Sequence, residues 1–378
     1  LSPLHPNPLR IGFLIDAFAI GGSELNAIKV AEALVGRSVS VTVFHFQTDG
    51  PLRARYEQLG VELIHVPLRG LVSRSAMHAT GQIRRAARAR NLQLLHAHCV
   101  YSNIVGAGVR RLSLWRLPLL ASRRWTGYAV RPGLHRLNAF AQSAADAVLV
   151  NSPSLEAVVR AESFGAKPVY VPNLLPESYF RTLTADERRR GRLALQLPAD
   201  GPVAGCVARL VPVKDHHTLL RAWRDVIRQV PSAVLAIFGD GELRAQLEQE
   251  ANAFGINTQT RFVGAVRPDS LPCALLDVSV LASLDEGFPN SLLEAMAQHV
   301  PVVSTNVGGV GDLVTDEVNG LLVPARDAGA LGHALARVLT DETIATRLAA
   351  NGARTAATHR TNAVLDVLMT TYRAIARG

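Results

Sequence analysis

Two carboxylates separated by seven residues, Glu286 and Glu294, bracket the most informative phrase of the chain. Between them stand Gly287, with a permissive backbone, and Pro289, which suits a first helical turn because no partner awaits an N–H there. Upstream, 277–283 reads as a buried strand; downstream, 291–298 reads as a helix. Strand, tight loop and helix N-terminus together make a seat for a phosphate, because freed N–H groups and the helix dipole stabilise an anion. The flanking carboxylates can hold hydroxyls on either side of it, an arrangement suited to a nucleotide-sugar. Arg209 and Lys214, with Pro212 between them, follow a second expected strand at 203–207. Two cations there can neutralise a diphosphate leaving group. No Asp-His-Ser arrangement and no metal-ligand cluster accompanies them, so the expected chemistry is charge stabilisation without a metal or a cofactor.

Two further spots invite a functional or a structural reading. Gly21 and Gly22 follow the first expected strand and precede a helix, with Ser23 as the expected N-cap. They form either a loop that lets backbone approach a diphosphate or acceptor, or a plain tight turn. No third glycine completes a dinucleotide fingerprint, which argues against a nicotinamide oxidoreductase. His98, two residues after His96, lies at an expected strand end and either orients an acceptor or is structural.

The elements that must position these residues alternate between strand and helix. Strands are expected at 10–15, 39–46, 61–66, 92–96, 118–121, 147–150 and 169–171, with helices including 23–35, 77–90, 134–144 and 154–163. A linker near 172–183 carries Pro172 and Pro176. Alternation resumes with strands at 203–207, 234–238, 261–263, 278–281, 302–304 and 321–323, and helices at 328–339, 342–356 and 362–376 close the chain. Such alternation predicts α/β architecture: two Rossmann-like domains, 1–171 and 172–360, with parallel sheets flanked by helices and facing each other across a cleft.

Composition agrees with that class. A chain of 378 residues with 48% apolar content and 29 glycines suits two α/β domains. No apolar run approaches the ~18 residues of a membrane span. The opening LSPLHPNPLR lacks signal-peptide features, and three scattered cysteines, Cys99, Cys206 and Cys273, favour a reducing cytoplasm. Charge is unevenly divided. Residues 1–171 carry 20 Lys+Arg and 9 Asp+Glu, a net +11, whereas 172–378 carry 20 and 22, a net −2. Between Glu62 and Asp146 there are thirteen arginines and no acid. Most of these arginines are expected at the surface, where a field of one sign attracts an anionic membrane or a lipid-diphosphate acceptor; nucleic acid is not expected as a partner.

The stretch Ser283–Gly309, SLDEGFPNSLLEAMAQHVPVVSTNVGG, resembles the donor-site signature of family-4 retaining glycosyltransferases of the GT-B fold. Val207-Ala208-Arg209-Leu210 through Lys214-Asp215, Phe238-Gly239-Asp240-Gly241, Phe262-Val263-Gly264 and Asn319-Gly320-Leu321-Leu322-Val323-Pro324 match further landmarks in order. Gly21-Gly22-Ser23-Glu24, Asn151-Ser152 and Val171-Pro172-Asn173 match more loosely. The resemblance implies a metal-independent hexosyltransferase that retains anomeric configuration. It implies Arg209, Lys214 and Glu286 in catalysis, with Glu286 holding sugar hydroxyls and Glu294 the ribose. Gly287, Phe288, Pro289, Asn290 and Ser291 would wrap sugar and phosphate, with Gly21 and Gly22 also on the donor. It further implies that 361–378 crosses back onto the first domain.

One departure stands out. Where the family has a sugar-contacting His in a phrase like Thr-Val-His-Gly, this chain reads Ala121-Ser122-Arg123-Arg124-Trp125. Arg123 or Arg124 in that neighbourhood points to a charged group on donor or acceptor, and Trp125 and Tyr128 offer a stacking surface. His98, Arg123 and Arg124 are thus the acceptor-side candidates. The expected reaction moves a sugar from a nucleotide-diphosphate-sugar to a hydroxyl of a lipid-linked or cell-envelope glycan, as in bacterial lipopolysaccharide or polysaccharide biosynthesis. The expected place is the cytoplasmic face of the plasma membrane. A sugar-nucleotide epimerase of similar fold would need acid–base groups that the phrase lacks, and a non-catalytic lipid- or polysaccharide-binding adaptor would not need the donor positions kept intact.

Overall fold

The computed structural model describes residues 8–377 except 38, 72, 128–130 and 268–269. It divides into two compact units, Leu1–Leu174 with Thr361–Gly378, and Leu175–Arg360. In the first unit, strands β1 (Leu9–Ile15), β2 (Val39–His45), β3 (Glu62–His65), β4 (Leu94–Ala97), β5 (Leu119–Arg123), β6 (Ala147–Val150) and β7 (Pro168–Tyr170) form one parallel sheet in the order β3-β2-β1-β4-β5-β6-β7. The helices of this stretch are α1 (Gly22–Val35), α2 (Arg53–Gln58), α3 (Arg74–Ala89), α4 (Val100–Leu112), α5 (Pro132–Ser143) and α6 (Pro153–Glu162).

The second unit repeats the plan. Strands β8 (Val203–Val207), β9 (Val234–Phe238), β10 (Thr260–Gly264), β11 (Val278–Leu281), β12 (Val302–Thr305) and β13 (Leu321–Val323) run parallel in the order β10-β9-β8-β11-β12-β13. Its helices are α7 (Ala185–Ala194), α8 (His216–Gln229), α9 (Arg244–Ala253), α10 (Asn290–Ala297), α11 (Ala328–Thr340) and α12 (Glu342–Ala357). The last helix, α13 (Thr361–Arg377), belongs to the first unit, where Val364, Leu365, Leu368 and Tyr372 are buried in the same core as Ile11 and Phe13.

The strands read as near-continuous apolar runs because helices cover both faces of each sheet. In the first unit, Ile11, Phe13 and Ile15 face one core and Leu14 faces the other. In each unit the strand order reverses at one point, between β1 and β4 and between β8 and β11. Ligands of such sheets sit outside the carboxyl ends of the strands at that reversal.

Most arginines of the acid-free stretch are exposed, as its composition implies, but three are spent on acids within the first unit. Arg90 forks onto Glu62 at 2.6 and 2.5 Å and Arg110 onto Asp146 at 2.6 and 2.7 Å. Arg123 is fully buried against Glu162. The acids that neutralise these three lie just outside the stretch. Arg69, Arg74, Arg85, Arg88, Arg111, Arg116, Arg131 and Arg136 are exposed. Among the described residues, no helix is long and apolar enough to cross a membrane, and all three cysteines are buried free thiols.

Candidate active site

The loops after β8 and β11 hold the expected donor residues of the second unit and are tied together, Leu284 N donating to Val213 O at 2.8 Å. Lys214 ends a single 3₁₀ turn, Pro212–Lys214, and the next residue, Asp215, takes a left-handed conformation (φ 44°). Asp215 then caps α8, its carboxylate accepting from Thr218 Oγ1 at 2.7 Å. That sharp stop aims Lys214 back across the loop. Its Nζ lies 2.5 Å from Glu286 Oε1, and Ser283 Oγ donates to the same oxygen at 2.7 Å. Glu286 is only 8% exposed, and a carboxylate so buried needs this cation and hydroxyl. Both contacts fall on Oε1, which leaves Oε2 to accept from a hydroxyl. Arg209 is exposed at the carboxyl end of β8.

Glycines let these loops approach each other. At Gly308 (φ 49°) a Cβ would collide with the Glu286 carbonyl, and Gly309 N donates to that same carbonyl at 2.8 Å. Gly239 and Gly241 are pressed against the backbone of 208–210, where a Cβ would strike the Ala208 and Leu210 carbonyls. The phrase Phe238–Gly241 therefore fixes Arg209's loop from behind.

Helix α10 begins one residue earlier than its sequence implies, with Pro289 as the N-cap residue whose carbonyl accepts from Leu292 N and Leu293 N at 3.1 and 3.2 Å. Gly287, Asn290 and Ser291 are partly exposed around this turn, as is Glu294 one turn on. Phe288 is buried, with its ring 5.7 Å from that of His359, so it offers the loop an anchor and only its backbone to a ligand. Beneath Lys214, His216 is buried with Nε2 3.7 Å from Cys206 Sγ. Burial, then the nearby Lys214 charge, lowers its pKa to about 4, while burial pushes the Cys206 thiol up to about 12.

The remaining candidates lie in the first unit. Gly21, not Ser23, is the N-cap residue of α1, and the Glu24 carboxylate folds back so closely that a Cβ on Gly21 would strike it. His98 is fully buried rather than facing solvent, its ring packed on His96 at 3.9 Å and Phe13 at 4.5 Å. His96 bridges Tyr372 OH (2.7 Å) and Ser122 Oγ (3.0 Å). Arg123 is a correction to its acceptor-side reading. Its guanidinium turns into the fold, donating to the Trp125 and Thr126 carbonyls at 2.7 and 2.8 Å and to Glu162 at 2.8 Å. Trp125 is partly exposed and carries the Arg123 guanidinium 5.3 Å from its ring centre, and Tyr128 lies outside the described residues. Arg124 is half-buried and bonds Asn173 Oδ1 at 2.5 Å.

Sequence reading missed Asp16. It follows β1 and accepts from Tyr101 N (3.1 Å) and Ser102 N (2.8 Å), capping α4 from across the β1–β4 reversal. Burial raises its carboxyl to about 7 despite those two bonds. Ser283 and Thr305, which donates to Ser283 O at 2.6 Å, were also missed; their only signal is their place within the donor phrase.

Two parallel α/β sheets with reversed strand order, and a cation–carboxylate pair beside a glycine-bound helix start, fit the class of nucleotide-sugar-dependent glycosyltransferases of the GT-B fold, to which the comparisons assign the chain. The family model for glycosyl transferases group 1 matches residues 188–355, and that for the glycosyl transferase 4-like domain matches 21–173. The chain belongs to the family-4 GT-B glycosyltransferases. It is 37% identical over 165 residues to the lipopolysaccharide core biosynthesis glycosyltransferase LpsE of Rhizobium meliloti, covering 43% of this chain and 47% of that protein. It is 28% identical to a D-inositol 3-phosphate glycosyltransferase of a Nocardioides species, covering 92% of this chain and 83% of the other. The structure of Anabaena HepE in complex with UDP and glucose superimposes with a TM-score of 0.85 at 23% identity, over 97% of this chain and 100% of the other, a likeness of fold.

Proposed function

We propose that this glycosyltransferase is a retaining, metal-independent hexosyltransferase that extends a lipid-linked or cell-envelope glycan. The observation that carries the reading is the Lys214–Glu286 pair beside the start of α10, with Arg209 exposed on the linked loop. In this reading Lys214 and Arg209 supply the positive charge that the departing diphosphate needs, which is the part a divalent metal plays elsewhere. As the bond from the anomeric carbon to the diphosphate breaks, its electron pair leaves with the nucleoside diphosphate. The acceptor hydroxyl forms the new bond on the same face and gives its proton to the released phosphate oxygen. Glu286 Oε2 holds a sugar hydroxyl and Glu294 the ribose. An envelope acceptor is supported by the likeness to the lipopolysaccharide core biosynthesis glycosyltransferase of Rhizobium meliloti.

We also place the enzyme on the cytoplasmic side of an anionic membrane. Exposed Arg85, Arg111, Arg116 and Arg136 share α3, α4, the segment before β5 and α5 with exposed Leu112, Leu114 (97% accessible) and Phe140. Cations interleaved with apolar tips suit an anionic lipid surface. Turnover assayed with a panel of nucleotide-sugars in the presence of EDTA tests the core of the reading. Activity is expected to persist, with the product in the donor's anomeric configuration; a strict Mg²⁺ or Mn²⁺ requirement, or an inverted product, overturns it.

A further inference from the structure

Arg124 is a half-buried cation that no carboxylate among the described residues neutralises. It follows β5, and its Nε is shut away from solvent without a partner among those residues. Its Nη1 donates to an amide oxygen, Asn173 Oδ1 (2.5 Å), and among the described residues no carboxylate pairs with it. Its neighbours differ: Arg90, Arg110 and Arg123 each meet an acid. Burial lowers the Arg124 pKa to about 10, so the group stays charged near neutrality. Leaving a charge in such a place is costly unless something pairs with it, and water cannot supply a counter-charge.

A second observation points to the same spot. His98 is fully buried, yet among the described residues neither ring nitrogen has a partner, and the Arg124 charge bears on it as well as on His96. His96 spends both of its nitrogens inside the fold, so His98 alone has N–H capacity to offer. Asn26 donates to the same Asn173 oxygen at 3.0 Å, which holds that amide in place under Arg124. His98 and Arg124 come from the carboxyl ends of the adjacent strands β4 and β5, beside the reversal where ligands of such sheets sit.

We propose that Arg124 and His98 are the recognition groups for an oxyanion, a carboxylate or phosphate, carried by one of the enzyme's substrates. This rests on the glycosyltransferase reading above and adds a specificity to it. Arg124 supplies the counter-charge, and a neutral His98 donates one hydrogen bond. An uncharged sugar or alcohol leaves the guanidinium unpaired and binds poorly, so selectivity comes from the penalty on neutral analogues.

The test uses the 378-residue chain, thermal shift and titration, with inorganic phosphate and glucuronate as probes and glucose as the neutral control. The variants are Arg124→Met and, for the second unit, Lys214→Ala. Phosphate or glucuronate is expected to stabilise the wild type where glucose does not, and Arg124→Met to weaken that binding about thirtyfold or more. Arg124→Met should melt at or above the wild-type temperature without anion, because it removes an unpaired charge. A purely structural arginine would give the opposite sign. Comparing UDP-glucuronate with UDP-glucose, and a sugar phosphate with its parent sugar, assigns the anion to donor or acceptor. Anion binding that is absent from the wild type, that survives Arg124→Met, or that is lost together with a lowered melting temperature overturns the proposal. Binding abolished by Lys214→Ala alone places the anion with the diphosphate cations and overturns it too, while sugar transfer itself continues to report on the glycosyltransferase reading.

Discussion

Lys214 shares Glu286 Oε1 with Ser283, and a cation held this way is oriented before any diphosphate arrives. Its worth should therefore appear in the chemical step: Lys214→Ala is expected to lose ~100-fold in kcat at saturating nucleotide-sugar, with a smaller change in KM. Glu294→Ala should behave in the reverse way, weakening donor binding with kcat largely kept, since a ribose contact is present before and during reaction. Steady-state kinetics on the two variants separates the roles, and full turnover in Lys214→Ala would remove the charge-stabilisation mechanism. His216, under Lys214, gives a pH prediction. Its folded pKa of about 4 lies below the ordinary 6.5, so the unfolded chain binds the extra proton first. The stability it contributes is complete above about pH 6.5 and lost as pH falls towards 4, a change of order 3 kcal/mol. Denaturation of His216→Gln across that window should show a correspondingly flatter pH dependence. The donor phrase was legible at this scale because its residues are contiguous. Asp16 was not, since the amides it caps lie more than eighty positions away in sequence and no local pattern records the pairing. The fate of Arg123 was equally hidden, because its partner Glu162 lies outside the acid-free stretch.

Strands were the most readable elements, because burial on both faces leaves unbroken apolar runs such as Val234–Phe238 and Leu321–Val323. Helix ends drifted by a residue or more: α3 starts at Arg74, where Ser73 accepts from Ala76 N, ahead of the expected 77. Helix α4 carried little signal, for its Val100, Ile104, Val105, Gly106 and Gly108 favour other conformations. Tertiary packing makes it helical. A Cβ on Gly106 would stand 2.9 Å from Leu119 Cδ1 and 3.3 Å from Leu14 Cδ1, so the glycine lets α4 settle directly on β1 and β5. Gly106→Val should push the helix off the sheet at a cost of ~1–3 kcal/mol, read by chemical denaturation. Unchanged stability would mean that α4 can slide without penalty.

For the whole molecule, the net +9 conceals an internal division, because part of the positive excess is spent on ion pairs within the first unit. The exposed remainder on α3, α4 and α5 sets the prediction for membranes. Co-sedimentation should be strong with anionic vesicles, absent with neutral ones, and reduced in high salt, since each surface arginine contributes ~1 kcal/mol that is screened within a Debye length. Replacing Arg85, Arg111 and Arg116 by Gln should abolish it while leaving turnover on a soluble acceptor intact. Equal binding to both vesicle types would remove the membrane assignment. Chain order carries a last consequence. The first unit is assembled from two separated stretches of the sequence: α13 completes its core, and Tyr372 bonds His96 inside it. During synthesis the first sheet thus waits, with a face uncovered, until α13 leaves the ribosome, while Leu175–Arg360 can already close upon itself. Nascent chains stalled before Thr361 should be digested across Leu9–Leu174 and resist protease in the later segment, reversing the usual order in which early residues fold first.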